Sequence, residues 1–212
     1  MISVAGAVAD EMLAEILKHV DGLESISINN GGDIALWHAS GKSSTVGVAD
    51  PVSGAIVSGA KVSSSDHIGG IASSGRHGRS MSKGIADSVT VMADNAATAD
   101  AAATLIANAV DLSGSLKVHR QAANIVDPDT DLGARLVTVD VEQLSRSECL
   151  QALQAGFDLA KKFKQQNKIS AAYLLLQGHW LATEHYLSFS NNKSIQPTIV
   201  NEVANALSLI HI

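Results

Sequence analysis

Residues Asp87 to Val110 read DSVTVMADNAATADAAATLIANAV, and this stretch decides the fold. Its first seven residues place Val89, Val91 and Met92 in a nearly unbroken apolar run, the pattern of a strand buried on both faces. The period then changes. Ala102, Leu105, Ile106, Ala109 and Val110 recur at helical spacing, so a helix is expected from Thr98 to Val110 with those five residues on its core stripe.

Working outward from that unit, Met12, Leu13, Ile16, Leu17 and Val20 give a second helical stripe, within an expected helix from Ala7 to Val20. The stretch SISINNGGDIALWH alternates at Ile26 and Ile28, breaks at two glycines, and alternates again at Ile34 and Leu36, as two strands of a hairpin do. Strand-like pieces follow in STVGVAD and GAIVSG. Ser63 to Gly84, rich in serine and glycine, reads as loop. ARLVTVDVE reads as a further strand. Ser145 and Glu148 form a capping box that opens a helix, with Leu150, Leu153, Phe157 and Ala160 on one side of it. AAYLLLQGHWLATEHYLSF reads as a hairpin turning at Gln177 and Gly178. Helices and hairpins interspersed in this way belong to a mixed α/β or α+β class with a mixed sheet.

The 212 residues suffice for one domain, expected over residues 1–206. Hydrophobic residues make up 46% of the chain and aromatics 3%, so the core is aliphatic. The net charge of −6 and pI near 5.7 argue against nucleic acid as a partner, since that needs a basic face. No apolar run is long enough to span a bilayer. The single cysteine, Cys149, rules out an internal disulfide framework and fits a reducing compartment, so a cytoplasmic location is expected. The last six residues, Leu207 to Ile212, read like the translation of a sequencing-library adapter and are left out of the fold.

Three places carry chemistry. Asp100, Thr104 and Asn108 fall at i, i+4 and i+8, on one face of the expected helix. A carboxylate and a hydroxyl one turn apart can give two oxygen ligands to Mg²⁺; a solvated polar face has the same spacing, and both readings stand at this point. Between Ile71 and Gly84, Ser73, Ser74, Gly75, Arg76, Gly78 and Arg79 make a segment suited to a phosphate or pyrophosphate, or equally a surface loop. His77 lies inside it, a residue type that exchanges protons near neutral pH. Asp33, just past Gly31 and Gly32, fits either a hairpin turn or a close backbone approach to a ligand.

Other motifs fail. Asp127, Asp129 and Asp131 begin like a calcium loop, but the glycine comes one position late and Thr138 stands where a glutamate is needed. Ser80 and Lys83 match S-x-x-K without its companion motifs. The histidines lack zinc spacing.

Taken in order, Gly31-Gly32-Asp33, then Ala72-Ser73-Ser74-Gly75, then Val89-Thr90-Val91, then Ala99-Asp100 with Thr104 resemble the ApbE-like superfamily, named for FAD-dependent flavin transferases. The likeness covers roughly residues 5 to 140 and is strongest to an uncharacterised branch sharing the VAGAVAD opening and the GRSxSxGIADSVTV segment. It implies an α+β fold with a largely antiparallel sheet and flanking helices. It implies transfer of FMN from FAD to a protein serine or threonine with Mg²⁺, or cleavage of the FAD pyrophosphate; a flavin-binding module without turnover is the alternative. By that likeness Asp100 and Thr104 are the metal ligands, while Gly31, Gly32, Asp33, Ser73, Ser74, Gly75 and Arg76 help hold the dinucleotide. The transferases carry a histidine in an S-H-I-I-D-P-x-T-G segment before the VTV strand. Ser80 to Asp87 stand there in this chain, which leaves His77 as the candidate for that role. VAGAVAD is interior in the family, so a preceding N-terminal portion is expected, and with it a location signal is left open.

Overall fold

The computed structural model describes residues 3–183, so the adapter reading of Leu207 to Ile212 lies outside the described residues. The elements in chain order are α1 (Val4–His19), β1 (Ser25–Asn30), β2 (Asp33–His38), β3 (Ser43–Ala49), β4 (Ile56–Ser63), β5 (Gly70–Ser74), β6 (Ser88–Ala93), α2 (Ala96–Ala109), β7 (Val118–Ala122), α3 (Ala123–Val126), β8 (Leu136–Val141), α4 (Arg146–Gln165), β9 (Ala171–Leu176) and β10 (His179–Ala182). The α+β class is as expected.

Strands β1-β2-β5-β6-β9-β10 form a six-stranded sheet in which every pairing is antiparallel. All six residues of β6 are buried, as its nearly unbroken apolar run leads one to expect, because both faces of the sheet are covered. On one face Ala72, Val89, Val91, Leu174 and Leu176 pack against α2 and α4 through Ala103, Ile106, Leu153 and Phe157. Beside them α1 covers β1 and β2 through Ala9 and Leu13. On the other face Leu36, Ile71 and Met92 pack under the β3–β4 hairpin, whose Val62 and Val48 reach the sheet. The turns are local chemistry. Gly31 and Gly32 have φ of 71° and 108°, and Gln177 and Gly178 have 45° and 78°, the positive pair that two-residue hairpin turns demand.

Two expectations need correction. The Ser63–Gly84 segment is not all loop: Gly70–Ser74 is β5, held between β2 and β6. Its composition hides it, because small residues there let α2 lie directly on the strand. The second concerns the helix stripes. Leu105 is 45% exposed and Met12 50%, while α2 buries Ala96, Ala99, Ala102, Ala103, Ile106 and Ala107. Alanines, not the bulkiest side chains, define the buried face, since only a small face brings this helix close to the sheet.

The start of α2 is capped twice. Asn95 Oδ1 accepts from the Thr98 N–H at 2.8 Å, and Asp10 of α1 accepts from the Ala96 and Ala97 N–H groups at 2.8 and 2.9 Å. A carboxylate supplied by the neighbouring helix thus answers donors that the helix leaves open. Asp10→Ala is expected to cost about 1–2 kcal/mol. Thermal denaturation checks this; an unchanged midpoint would mean that the α1–α2 bond carries no stability.

Candidate site at the α2 face and the 75–87 loop

Asp33 opens β2 immediately after the glycine turn. Ala35, two residues on, packs against α1 and α2, so strand alternation sets Asp33 on the same helix-covered face. There it lies within electrostatic reach of Asp100 of α2. Burial, then the nearby Asp100 carboxylate, raise the Asp33 carboxyl from 3.8 to about 6, and Arg79 acts in the opposite direction. Burial also raises Asp100, partly offset by the hydrogen bond it accepts from the Gly6 N–H in the first turn of α1. The Arg79 guanidinium lies against the turn: a Cβ built on Gly31 would stand 2.9 Å from its Nη2. Two half-buried carboxylates and one guanidinium therefore converge where three distant segments of chain meet.

Along the helix, Thr104 lies one turn beyond Asp100 and is half-buried. Asn108, a turn further, is a clamp. Its Oδ1 accepts from the Lys83 N–H at 2.9 Å, and the Ser82 hydroxyl stands 3.5 Å away. The loop is fixed on its other side as well, where the Thr138 N–H donates to the Ser82 carbonyl at 2.8 Å. The polar face of α2 is thus bounded by Asp33 and Arg79 at one end and by Ser82–Lys83 at the other.

Ser74 shares the sheet face of Ala72, which is the helix-covered one, whereas Ser73 points to the opposite face and bonds Thr90 Oγ1 at 2.8 Å. The structure brings Gly31, Asp33, Arg79 and Asp100 together, and does not bring the Ser73 side chain to their side of the sheet. Arg76 and His77 are drawn to Asp87. Arg76 Nε donates to Asp87 Oδ1 at 2.9 Å, and His77 Nε2 lies 3.2 Å from the same oxygen. The Gln177 N–H donates to the other oxygen, Oδ2. Asp87 is only 5% exposed. Together with burial, the larger cause, it pushes the Cys149 thiol up to about 11, so this cysteine is no nucleophile at neutral pH.

Sequence reasoning missed Asp87 and the part played by Arg79. The signal for Asp87 was present: an acidic residue abutting a strand buried on both faces is itself drawn into the interior, and a buried carboxylate needs partners. Nothing local marked Arg79 over Arg76. Two broad surface hollows, of about 680 and 440 Å³, lie at the far end of the sheet around Trp37, His38 and Ser63, and neither holds a pair of carboxylates. The chemistry, not the room, sets the candidate site.

Among the described residues, no three His, Cys, Asp or Glu side chains gather to hold a metal. The α2 face offers a cation the Asp100 carboxylate and the Thr104 hydroxyl, and β2 brings the Asp33 carboxylate near them, all hard oxygen donors of the kind that suits Mg²⁺ with water or substrate oxygens completing its shell. No described helix is long and apolar enough to cross a membrane.

Residues 1–182 match the model of a protein family described as AbpE bacteria. A UPF0280 protein of Methanothrix thermoacetophila is 34% identical over 144 residues, covering 66% of this chain and 56% of its own length. A UPF0280 protein of Methanothermobacter thermautotrophicus is 41% identical over 111 residues, covering 51% of this chain and 41% of its own. The chain thus spans about half the length of the curated relatives it matches.

Proposed function

Because this chain belongs to the AbpE bacteria family, an ApbE-related one, we propose that the α2 face and the 75–87 loop bind the pyrophosphate of FAD together with Mg²⁺, and that the protein cleaves there. The observation that carries this reading is the pairing of Asp33 with Asp100 under Arg79. Two carboxylates held near each other and half out of water are unfavourable as they stand, and a divalent cation removes that cost. Asp100, Thr104 and Asp33 hold the ion in this reading. Arg79 and the Gly31 backbone meet phosphate oxygens, Gly32 shapes the turn with its own N–H given to Asn29 Oδ1, and Ser74 and Gly75 line the adjoining end of β5, with Ser73 and Arg76 bracing that segment. When bound, Mg²⁺ supplies charge neutralisation for the pyrophosphate. The bond broken joins the two phosphorus centres through oxygen: AMP leaves, FMN phosphorus gains a bond to a protein hydroxyl or to water, and the displaced proton passes to His77.

The test is to incubate the full-length protein with FAD and Mg²⁺ and to measure AMP release and flavin attached to protein. AMP release that stops on chelation supports the reading. Saturable flavin binding without turnover makes the protein a binding module that has lost the chemistry, and absence of flavin binding sinks both.

Asp33 gives a second check. Its folded carboxyl titrates near 6 against an ordinary 3.8, so folding takes up a proton between those values. Stability therefore falls as pH rises from about 4 to about 6, and above that ionised Asp33 is a standing cost. Asp33→Asn is expected to stabilise the metal-free protein at pH above 7 by about 1 kcal/mol, allowing for solvent screening of a half-exposed group, or a rise of roughly 2–4 °C in Tm. The same variant loses stabilisation by Mg²⁺. A variant no more stable than the parent would remove the charge-pair argument.

A further inference from the structure

Asp87 stands at the neck of the loop that runs from Gly75 to Asp87. At this neck the Arg76 N–H donates to the Ala86 carbonyl at 2.9 Å, and the Asp87 N–H donates to the Leu175 carbonyl of β9 at 2.9 Å. Gly75 lies flat against the same place: a Cβ there would stand 2.4 Å from the Asp87 carbonyl oxygen. The carboxylate joins three parts of the chain, namely the outgoing loop through Arg76 and His77, the incoming strand that carries it, and the β9–β10 turn through Gln177. The turn is itself fastened, since Gln177 Oε1 accepts from the Leu144 N–H and its Nε2 donates to the Glu142 carbonyl, both at 2.9 Å. A carboxylate so held has little freedom to turn.

The consequence falls on His77. At 3.2 Å from a carboxylate oxygen that can only accept, a bare lone pair on the facing imidazole nitrogen would be repelled, so that nitrogen favours carrying the hydrogen. That nitrogen is Nε2. We propose that Asp87 is a positioning residue that fixes the His77 tautomer, with the proton on Nε2 and Nδ1 left as the nitrogen that accepts a proton from a substrate or acceptor hydroxyl. The His77 side chain is 30% exposed, so the ring remains accessible to a ligand, while the Asp87 side chain is 6% exposed. The other charged or titratable groups around the pair are Arg76 on the same oxygen, Arg79 two residues along the loop, and the buried Cys149 of α4. The tautomer matters for the same reason that a base needs an orienting partner: the second nitrogen is useful only if the first is committed.

This inference rests on the reading of His77 as the base of the proposed reaction, but its test does not use that reaction. Long-range proton–nitrogen NMR of the histidine-labelled full-length protein, in mildly alkaline buffer, reads which ring nitrogen carries hydrogen. His77, assigned by the loss of its signals in His77→Gln, is expected to show one form with hydrogen on Nε2. In Asp87→Asn that single-form pattern is expected to be lost, with hydrogen moving in part to Nδ1. Hydrogen on Nδ1 in the parent protein overturns the proposal, as does an unchanged pattern in Asp87→Asn. Should Asp87→Asn fail to fold, the parent spectrum alone still decides. Lack of AMP release with the expected tautomer present would fault the reaction and leave the positioning role standing.

Discussion

Gly70→Ala is expected to lower stability by about 3 kcal/mol or more, a large share of the roughly 5–15 kcal/mol that keeps a domain folded. Gly70 opens β5 directly beneath the start of α2. A Cβ at this position would stand 2.0 Å from the Asn95 carbonyl carbon and 2.1 Å from the Ala96 nitrogen. These are backbone atoms, and no rotamer change can relieve the overlap. The α2 N-terminus would have to lift, breaking the bonds from Asp10 to the Ala96 and Ala97 N–H groups and opening the alanine face that packs on β5. Gly22→Ala is the contrast. Nothing lies within 4 Å of its Cβ, and the only penalty is its φ of 77°, worth about 1 kcal/mol. Urea unfolding of the two variants measures the difference. Equal midpoints would mean that α2 does not rest on β5 as described.

Asp100→Asn is expected to reduce Mg²⁺-dependent AMP release about 100-fold or more, because losing even an outer partner of a metal ligand costs 10–100-fold. The amide is the informative change. Asp100 accepts from the Gly6 N–H and so helps hold the first turn of α1, a role that alanine would remove along with the charge. Asparagine keeps an oxygen for Gly6 and discards only the charge. Its unfolding midpoint should stay close to that of the parent, whereas Asp100→Ala should lose about 1 kcal/mol as a capping residue does. If Asp100→Asn keeps its Mg²⁺ response, Asp100 is a structural cap and the cation site lies elsewhere. If neither variant folds, titrating Mg²⁺ against the parent and Asp33→Asn separates the two roles.

Much of the fold was legible because it rests on local signals. The buried strand at Ser88–Ala93, the glycine turn between β1 and β2, the capping box at Ser145 and Glu148, and the turn at Gln177 and Gly178 each depend on neighbours within a few residues. Two of the misreadings share one cause. β5 looked like loop because GIASS has few bulky residues, and Leu105 looked like core because it is large. In both places the decisive quantity is how closely α2 approaches the sheet, and that distance is set by two segments together.

The candidate site divides along the same line. Spacing alone put Asp100 and Thr104 on one helix face, and order along the chain pointed to the family, so the sequence by itself determined the class of fold and the chemical types available. It could not say that Asp33 faces Asp100, that Arg79 rather than Arg76 lies on the glycine turn, that Ser73 turns to the other side of the sheet, or that Asp87 gathers Arg76 and His77. Those are matters of which strand lies beside which and which face each residue takes. Turns and caps are decided by energies that a few adjacent residues carry, whereas the meeting of charges from distant segments is decided only when the whole sheet and its helices close around them.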